Sequence, residues 1–274
     1  MNIEEVQYVF KNKDLLISQK QNVIKRGDVV IGSILKNEHI SKEDEANKAE
    51  GDTVELENAE IINVKAVINT TNVIDSHMDC HIPGLWKKTL SETKLLYLLQ
   101  EHDMKFDKII SDSVNDELKA YTQKIAWNKL GQTFEGNTEA LIFEGKVKKD
   151  VNEFMFNLYK NGRVLNHSVG MRYVKIYLCI NSTEAYYASE KDNWDKYYPE
   201  VANKEIADER GYFWAVTEAK VIEGSAVVKG SNEFTPTLEI EAEKQEPEES
   251  TQETEIKEEP IIEITQIRKR GLLI

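Results

Sequence analysis

The chain of 274 residues is short of the features that mark several large classes of protein. It has two cysteines, Cys80 and Cys179, far apart in sequence and each in or beside an apolar stretch, so a disulfide framework is excluded and buried free thiols in a reducing, intracellular setting are expected. It has no apolar run of about 18 residues, which argues against a membrane-spanning helix, and no secretory signal is evident. No basic patch stands out against a formal charge of -14, which argues against a phosphate-binding surface and so against nucleic acid as a partner. Prolines number only five, and two of them, Pro247 and Pro260, fall in a C-terminal segment in which eleven Glu between Glu239 and Glu263 face only Lys244 and Lys257. That segment has too little apolar surface to offset the entropy of folding, so residues 239–274 are expected to be a disordered acidic tail closing on the short basic and apolar peptide "IRKRGLLI".

The whole chain is 40% hydrophobic, enough for a core. Residues 1–58 read as an irregular lead, with a short element around Val6 to Phe10, a strand-like "DVVIGSIL" and a polar loop after it. From Ala59 the pattern tightens into a domain expected to run to residue 238. "AEIINVKAVIN" reads as a strand, "HIPGLWKKTL" as a break followed by a short helix, and "TKLLYLLQEHD" as an apolar strand ending at His102 and Asp103. "DELKAYTQKIAWN" is a further strand. The spacing of Phe143, Val147, Val151, Phe154 and Leu158 predicts a helix from Thr138 to Tyr159, stopped by Asn161-Gly162. A strand from Arg163 follows, then a polar, Tyr-rich insertion over residues 181–210, and a last strand "GYFWAVTEAKVIEGSAVV".

Three groups of residues could carry chemistry. "DSHMDCH" packs Asp75, His77, Asp79, Cys80 and His81 into seven positions, but it lacks a second ligand pair, and the segment does not read as a helix that would bring its two histidines to one face. A polar turn before a helix is the plainer reading, with a metal-dependent hydrolase on His77 and His81 as the weaker alternative. His102, at a strand end, suits a general base. Ser168 lies on a strand beside His167, and because successive strand side chains diverge, His167 cannot be its base. By simple alternation Ser168 shares a face with Val164, Val174, Ile176, Leu178 and Ile180, opposite Arg163, His167, Tyr173, Lys175 and Tyr177.

Taken in order, these elements resemble a family. Asp75, then "DCHIPGLW" with Asp79, Pro83 and Gly84, then "LLYLLQEHD", then Ser168-Val169-Gly170, then "EGSAVV" with Glu223, Ser225 and Val227, and finally "GSN" with Asn232 are similar to the motif series of the prohead maturation proteases of tailed bacteriophages. That HK97-type family of serine proteases is distantly related to the herpesvirus capsid assemblins. The long lead, the 181–210 insertion and the loop after Pro83 depart from its pattern. The resemblance implies an α+β fold, a small and mainly antiparallel β-barrel flanked by helices. It implies Ser168 as nucleophile, His102 as general base, and Glu223 as the acid that orients the imidazole, with Asp103 as the other candidate. Backbone N–H groups of Val169 and Gly170 would form the oxyanion hole.

The same resemblance implies a serine endopeptidase with no cofactor or metal, acting in the host cytoplasm inside the procapsid. Its substrates would be the major capsid protein, the scaffold or delta domain, and the protease itself. Some relatives cleave after an aliphatic-x-Glu pattern, which "IKE" at Ile256 to Glu258 and "IIE" at Ile261 to Glu263 match. A homodimer is the analogy with assemblins. The alternative is a capsid scaffolding or interaction protein that keeps the fold and the tail without catalysis.

Overall fold

The computed structural model describes residues 3–25, 56 and 58–243. The strand-like "DVVIGSIL", the polar loop after it, and residues 244–274 with both aliphatic-x-Glu matches lie outside the described residues. Two helices open the chain, α1 (Ile3–Lys11) and α2 (Lys13–Asn22), where the sequence suggested an irregular lead with one short element around Val6 to Phe10. Then follow β1 (Ile61–Thr70), β2 (Asp79–His81), α3 (Lys87–Glu92), β3 (Tyr97–Gln100), β4 (Ile109–Asp112), β5 (Lys119–Ala126) and β6 (Asn137–Lys148). The order closes with α4 (Glu153–Lys160), β7 (Asn166–Ile180), α5 (Ala188–Tyr197), α6 (Lys204–Arg210), β8 (Tyr212–Val227) and β9 (Thr237–Ala242). The fold is thus α+β with mostly antiparallel pairing. No helix among the described residues is long and apolar enough to cross a membrane.

The strands form two sheets that do not close into the expected barrel. One runs β5-β6-β1-β9, all antiparallel; in the other β8 is central, with β7 along one edge and β2 and β3 in succession along the other, β3 pairing on to β4. The β2 and β3 pairings with β8 are parallel. The sheets pack through one core: Val64, Ile68 and Leu141, Phe143 from the first meet Val169, Met171, Val216 and Val221 from the second. The far face of the first sheet is covered as well, with Val67, Ala140 and Ile142 buried against Trp127 and Leu130.

That double burial explains the failed helix expectation. Thr138 to Lys148 is strand β6, and its "ALIF" is buried on both faces, so the apolar run lacks the alternation of a half-buried strand. Only the end of the segment is helical. In α4 the Asn152 side chain caps the Met155 N–H at 3.0 Å, and the chain stops at Asn161-Gly162, where Gly162 takes φ 63°. Cys80 and Cys179 are buried free thiols in a third cluster with Trp194 and Phe213. The 181–210 insertion supplies α5 and α6.

The tail boundary moves too. Residues 239–242, expected to be disordered, are strand, because β9 adds to the edge of β1.

Candidate active site

β8 is the strand on which the site is assembled. Glu223 and Ser225, two residues apart, project from one face of it and are fully buried. Across the ladder with β7, Ser225 pairs with Ser168 and Glu223 with Gly170, while on the opposite edge Leu99 of β3 pairs with Ser225. Ser168 and the chain leading to His102 therefore reach the same two β8 residues from opposite edges.

The turn after β3 sets the imidazole. Glu101 N–H still bonds the Ala226 carbonyl at 2.9 Å, and then Glu101 and His102 both take left-handed φ values, 51° and 59°. Two adjacent non-glycine residues in that region are sterically costly. The conformation points the His102 N–H at Ser225 Oγ (3.1 Å) and brings His102 Nδ1 to 2.6 Å from Glu223 Oε1. Ser225 Oγ in turn donates to Glu223 Oε2 at 2.6 Å. Both carboxylate oxygens are thus held, one by the imidazole and one by the hydroxyl. Asp103, the other candidate, turns outward to pair with Lys105 at the surface.

Gly170 makes room for this carboxylate. A Cβ on Gly170 would lie 1.9 Å from Glu223 Oε1, so the Glu223 side chain crosses β7 where the strand has no side chain. The glycine expected to turn amides toward an oxyanion serves instead to admit the acid.

Backbone alternation separates the two expected oxyanion donors. His167 and Met171 N–H groups bond Thr235 and Lys25 on the edge of β7 away from β8, and Val169, midway between them, faces the same edge. Ser168 and Gly170 face β8 and spend their N–H groups in the ladder, which removes Gly170 as a donor. Val169 N–H is directed to an edge beside a small pocket whose lining includes Ser168, Lys25, Asp75, Asn232, Ile68 and Met171.

Ser168 is 7% exposed, and its neighbours differ from those that simple alternation gave. Val169, Met171 and Tyr173 face the core before Val174, and Ile176, Leu178 and Ile180 after it. The extra residue at Val174 in the β7 register reverses the parity. Ser168 shares its face with Gly170 and exposed Arg172. His167 diverges from it as expected: its Nε2 meets Tyr159 Oη at 2.9 Å and its Nδ1 the Thr235 carbonyl at 3.1 Å, and burial drives its pKa down to about 4.

The "DSHMDCH" cluster forms a buried polar network. Both ring nitrogens of His81 are engaged, Nδ1 by Asn69 and Nε2 by Tyr173, and burial lowers its pKa to about 4. Tyr173 donates to Asp79 at 2.8 Å, and Lys20 pairs with the same carboxylate. Asp75 Oδ1 accepts the His77 and Asp79 N–H groups, yet burial, followed by the charge of Asp79, raises its pKa to about 7. Among the described residues no group of three or more His, Cys, Asp or Glu is arranged to hold a metal ion. Asn232 joins the loop after β8 to β1, accepting from Thr70 Oγ1 at 3.0 Å and donating to the Thr70 carbonyl at 2.9 Å, and Gly230 beside it packs against Ser168.

Ser225 was legible only as a letter of the "E-x-S" motif. Its spacing from Glu223 already puts both side chains on one strand face, and that was the available signal. No family model, curated protein or solved structure matches the chain.

Proposed function

We propose that the chain is a serine endopeptidase of the prohead-maturation kind. One observation carries the reading: a buried carboxylate holds His102 Nδ1, and Ser168 stands directly across the ladder from the serine that holds the same carboxylate. The arrangement suits an imidazole oriented by an acid next to a hydroxyl nucleophile.

The chemistry follows from those roles. Ser168 Oγ attacks the peptide carbonyl carbon while its proton passes to His102 Nε2, and Glu223 stabilises the resulting imidazolium through Nδ1–H. The carbonyl oxygen gains negative charge, for which the Val169 N–H is the backbone donor on hand. His102 then gives the proton to the departing amine. Water, deprotonated by His102, cleaves the acyl-enzyme and regenerates Ser168. The substrates of this reading are the capsid and scaffold chains and the protease itself.

The test combines a substrate-free probe with a substrate. A small fluorophosphonate should label the full chain, fail to label Ser168→Ala, and label His102→Ala far more slowly. Co-expression with the cognate capsid protein should yield shortened capsid chains from wild type and full-length ones from Ser168→Ala. Equal labelling of wild type and Ser168→Ala, together with intact capsid chains from both, would replace the enzyme by a non-catalytic scaffolding protein.

A further inference from the structure

The N-terminal arm, residues 3–25, runs along β7 toward Ser168. At its start Glu5 accepts from Arg210 (2.9 Å) and from Tyr212 (2.7 Å), whose β8 position pairs with the far end of β7. Lys13 pairs with buried Glu190, and Phe10 packs on Tyr186 and Tyr187. Further along, Gln21 donates to the Val174 carbonyl at 2.8 Å. The arm's last described residue, Lys25, makes a two-way antiparallel bridge with Met171, its N–H bonding the Met171 carbonyl at 2.7 Å and its carbonyl accepting the Met171 N–H at 3.0 Å.

That bridge is strand addition, the means by which an extended peptide pairs with a sheet edge. It is made three residues from Ser168, on the edge to which the Val169 N–H points. A polypeptide substrate bringing its carbonyl to Ser168 and Val169 would need the same edge, because the other edge of β7 is wholly taken by β8. We propose that the edge of β7 at Val169 to Met171 is the pairing edge for an extended polypeptide substrate, and that the arm through Lys25 occupies it in the free chain as an intramolecular competitor. This inference rests on the endopeptidase reading of the same site. Arm and substrate exclude each other, so the competent fraction of the enzyme is set by release of Lys25 from Met171.

The experiment uses the full chain and two probes. Lys25→Pro removes both the N–H that bonds Met171 and the side chain that reaches Asp79 and Tyr173; Lys25→Ala removes the side chain alone, so the pair isolates the N–H. A small fluorophosphonate, which needs no strand pairing, reads any effect of the Lys25 side chain on Ser168 itself and normalises the peptidyl rate of each protein. Relative to the small probe, a peptidyl phosphonate ending in Ile-Lys-Glu should label Lys25→Pro about fivefold faster or more than wild type, and faster than Lys25→Ala. Amide exchange at Met171 should quicken more in Lys25→Pro than in Lys25→Ala. Should Lys25→Pro fail to fold, the pair Glu5→Ala and Lys13→Ala, which loosens the arm at its distant anchors, should show the same gain. An unchanged ratio of peptidyl to small-probe rates, or no peptidyl labelling of any variant, overturns the proposal and leaves the endopeptidase standing. Absence of labelling by the small probe sinks both.

Discussion

Gly170→Ala isolates the packing on which the site depends. Gly170 does not have a positive φ, so alanine is tolerated by the backbone and the whole effect comes from the added methyl group. That methyl would stand 1.9 Å from Glu223 Oε1 and 2.7 Å from Cδ, whereas ordinary Cβ contacts begin near 3.4 Å. The carboxylate must withdraw by about 1.5 Å to restore normal contact. It has no slack: it is fully buried, and each oxygen is fixed by a bond of 2.6 Å. A shift of that size takes at least one of the two beyond hydrogen-bond range. Losing a charge-assisted bond costs about 1.5–3 kcal/mol, and overpacking adds about 1–3 kcal/mol, so the variant should lose about 2.5–6 kcal/mol. In a Glu223→Ala background the obstructing atoms are gone, and adding Gly170→Ala should cost under about 0.5 kcal/mol. Urea denaturation of the four proteins, followed by circular dichroism, gives the coupling directly. Additive costs would show that Gly170 does not gate the carboxylate, and the account of the site built on it would fall.

Three other perturbations separate neighbouring parts of the molecule. Asn152→Ala removes the cap on Met155 N–H and should destabilise by about 1 kcal/mol in the same denaturation assay. Tyr159→Phe leaves the buried His167 Nε2 without its partner, at about 1–3 kcal/mol, and should leave fluorophosphonate labelling of Ser168 unchanged once folded, because His167 faces away from it. Asp75 has a folded pKa of about 7, above its unfolded value of 3.8, so its contribution to stability is full below about pH 4 and is lost as pH rises through 7. Asp75→Asn, which can still accept both N–H groups, should therefore gain on wild type between about pH 4 and pH 7 by at most about 1.4 kcal/mol per pH unit and level off above, read from urea midpoints. His81 and His167, held near 4 by burial, act oppositely: their contribution is present above about pH 6.5 and lost as pH falls toward 4 in both proteins.

Strands bounded by turn chemistry were legible in the sequence. β1, β3, β5 and β8 fall where alternation or short apolar runs put them, and Asn161-Gly162 does end a helix. What failed did so for tertiary reasons. β6 looks helical because both of its faces are buried, and the burial of its outer face depends on Trp127 and Leu130, in the β5–β6 connection, folding back over the sheet. The strand β9 escapes a compositional reading because the free edge of β1 can accept a Glu-rich segment whose backbone does the pairing. Ser168 was put with the wrong neighbours because one inserted residue at Val174 reverses the faces, and a bulge carries no local signal there. The barrel failed because nothing in the pattern of single strands says whether two sheets share an edge.

The site divides along the same line. His102 and Glu223 could be named from motif order, yet their meeting depends on register between strands more than a hundred residues apart. Only β8 has β3 on one edge and β7 on the other at the level of Ser225, so an acid on β8 can reach an imidazole arriving from one side and lie across the strand arriving from the other. Asp103, although adjacent to His102 in sequence, is carried outward by the same left-handed turn that delivers the imidazole. The requirement for glycine at 170 follows from this placement. With Glu223 on the central strand and its target across the β3 edge, the carboxylate overlies its β7 partner, and any side chain there would compete for its volume. The "E-x-S" pair, the glycine two residues after Ser168 and the strained turn at His102 are therefore one solution to a single steric problem, each fixed by the other two.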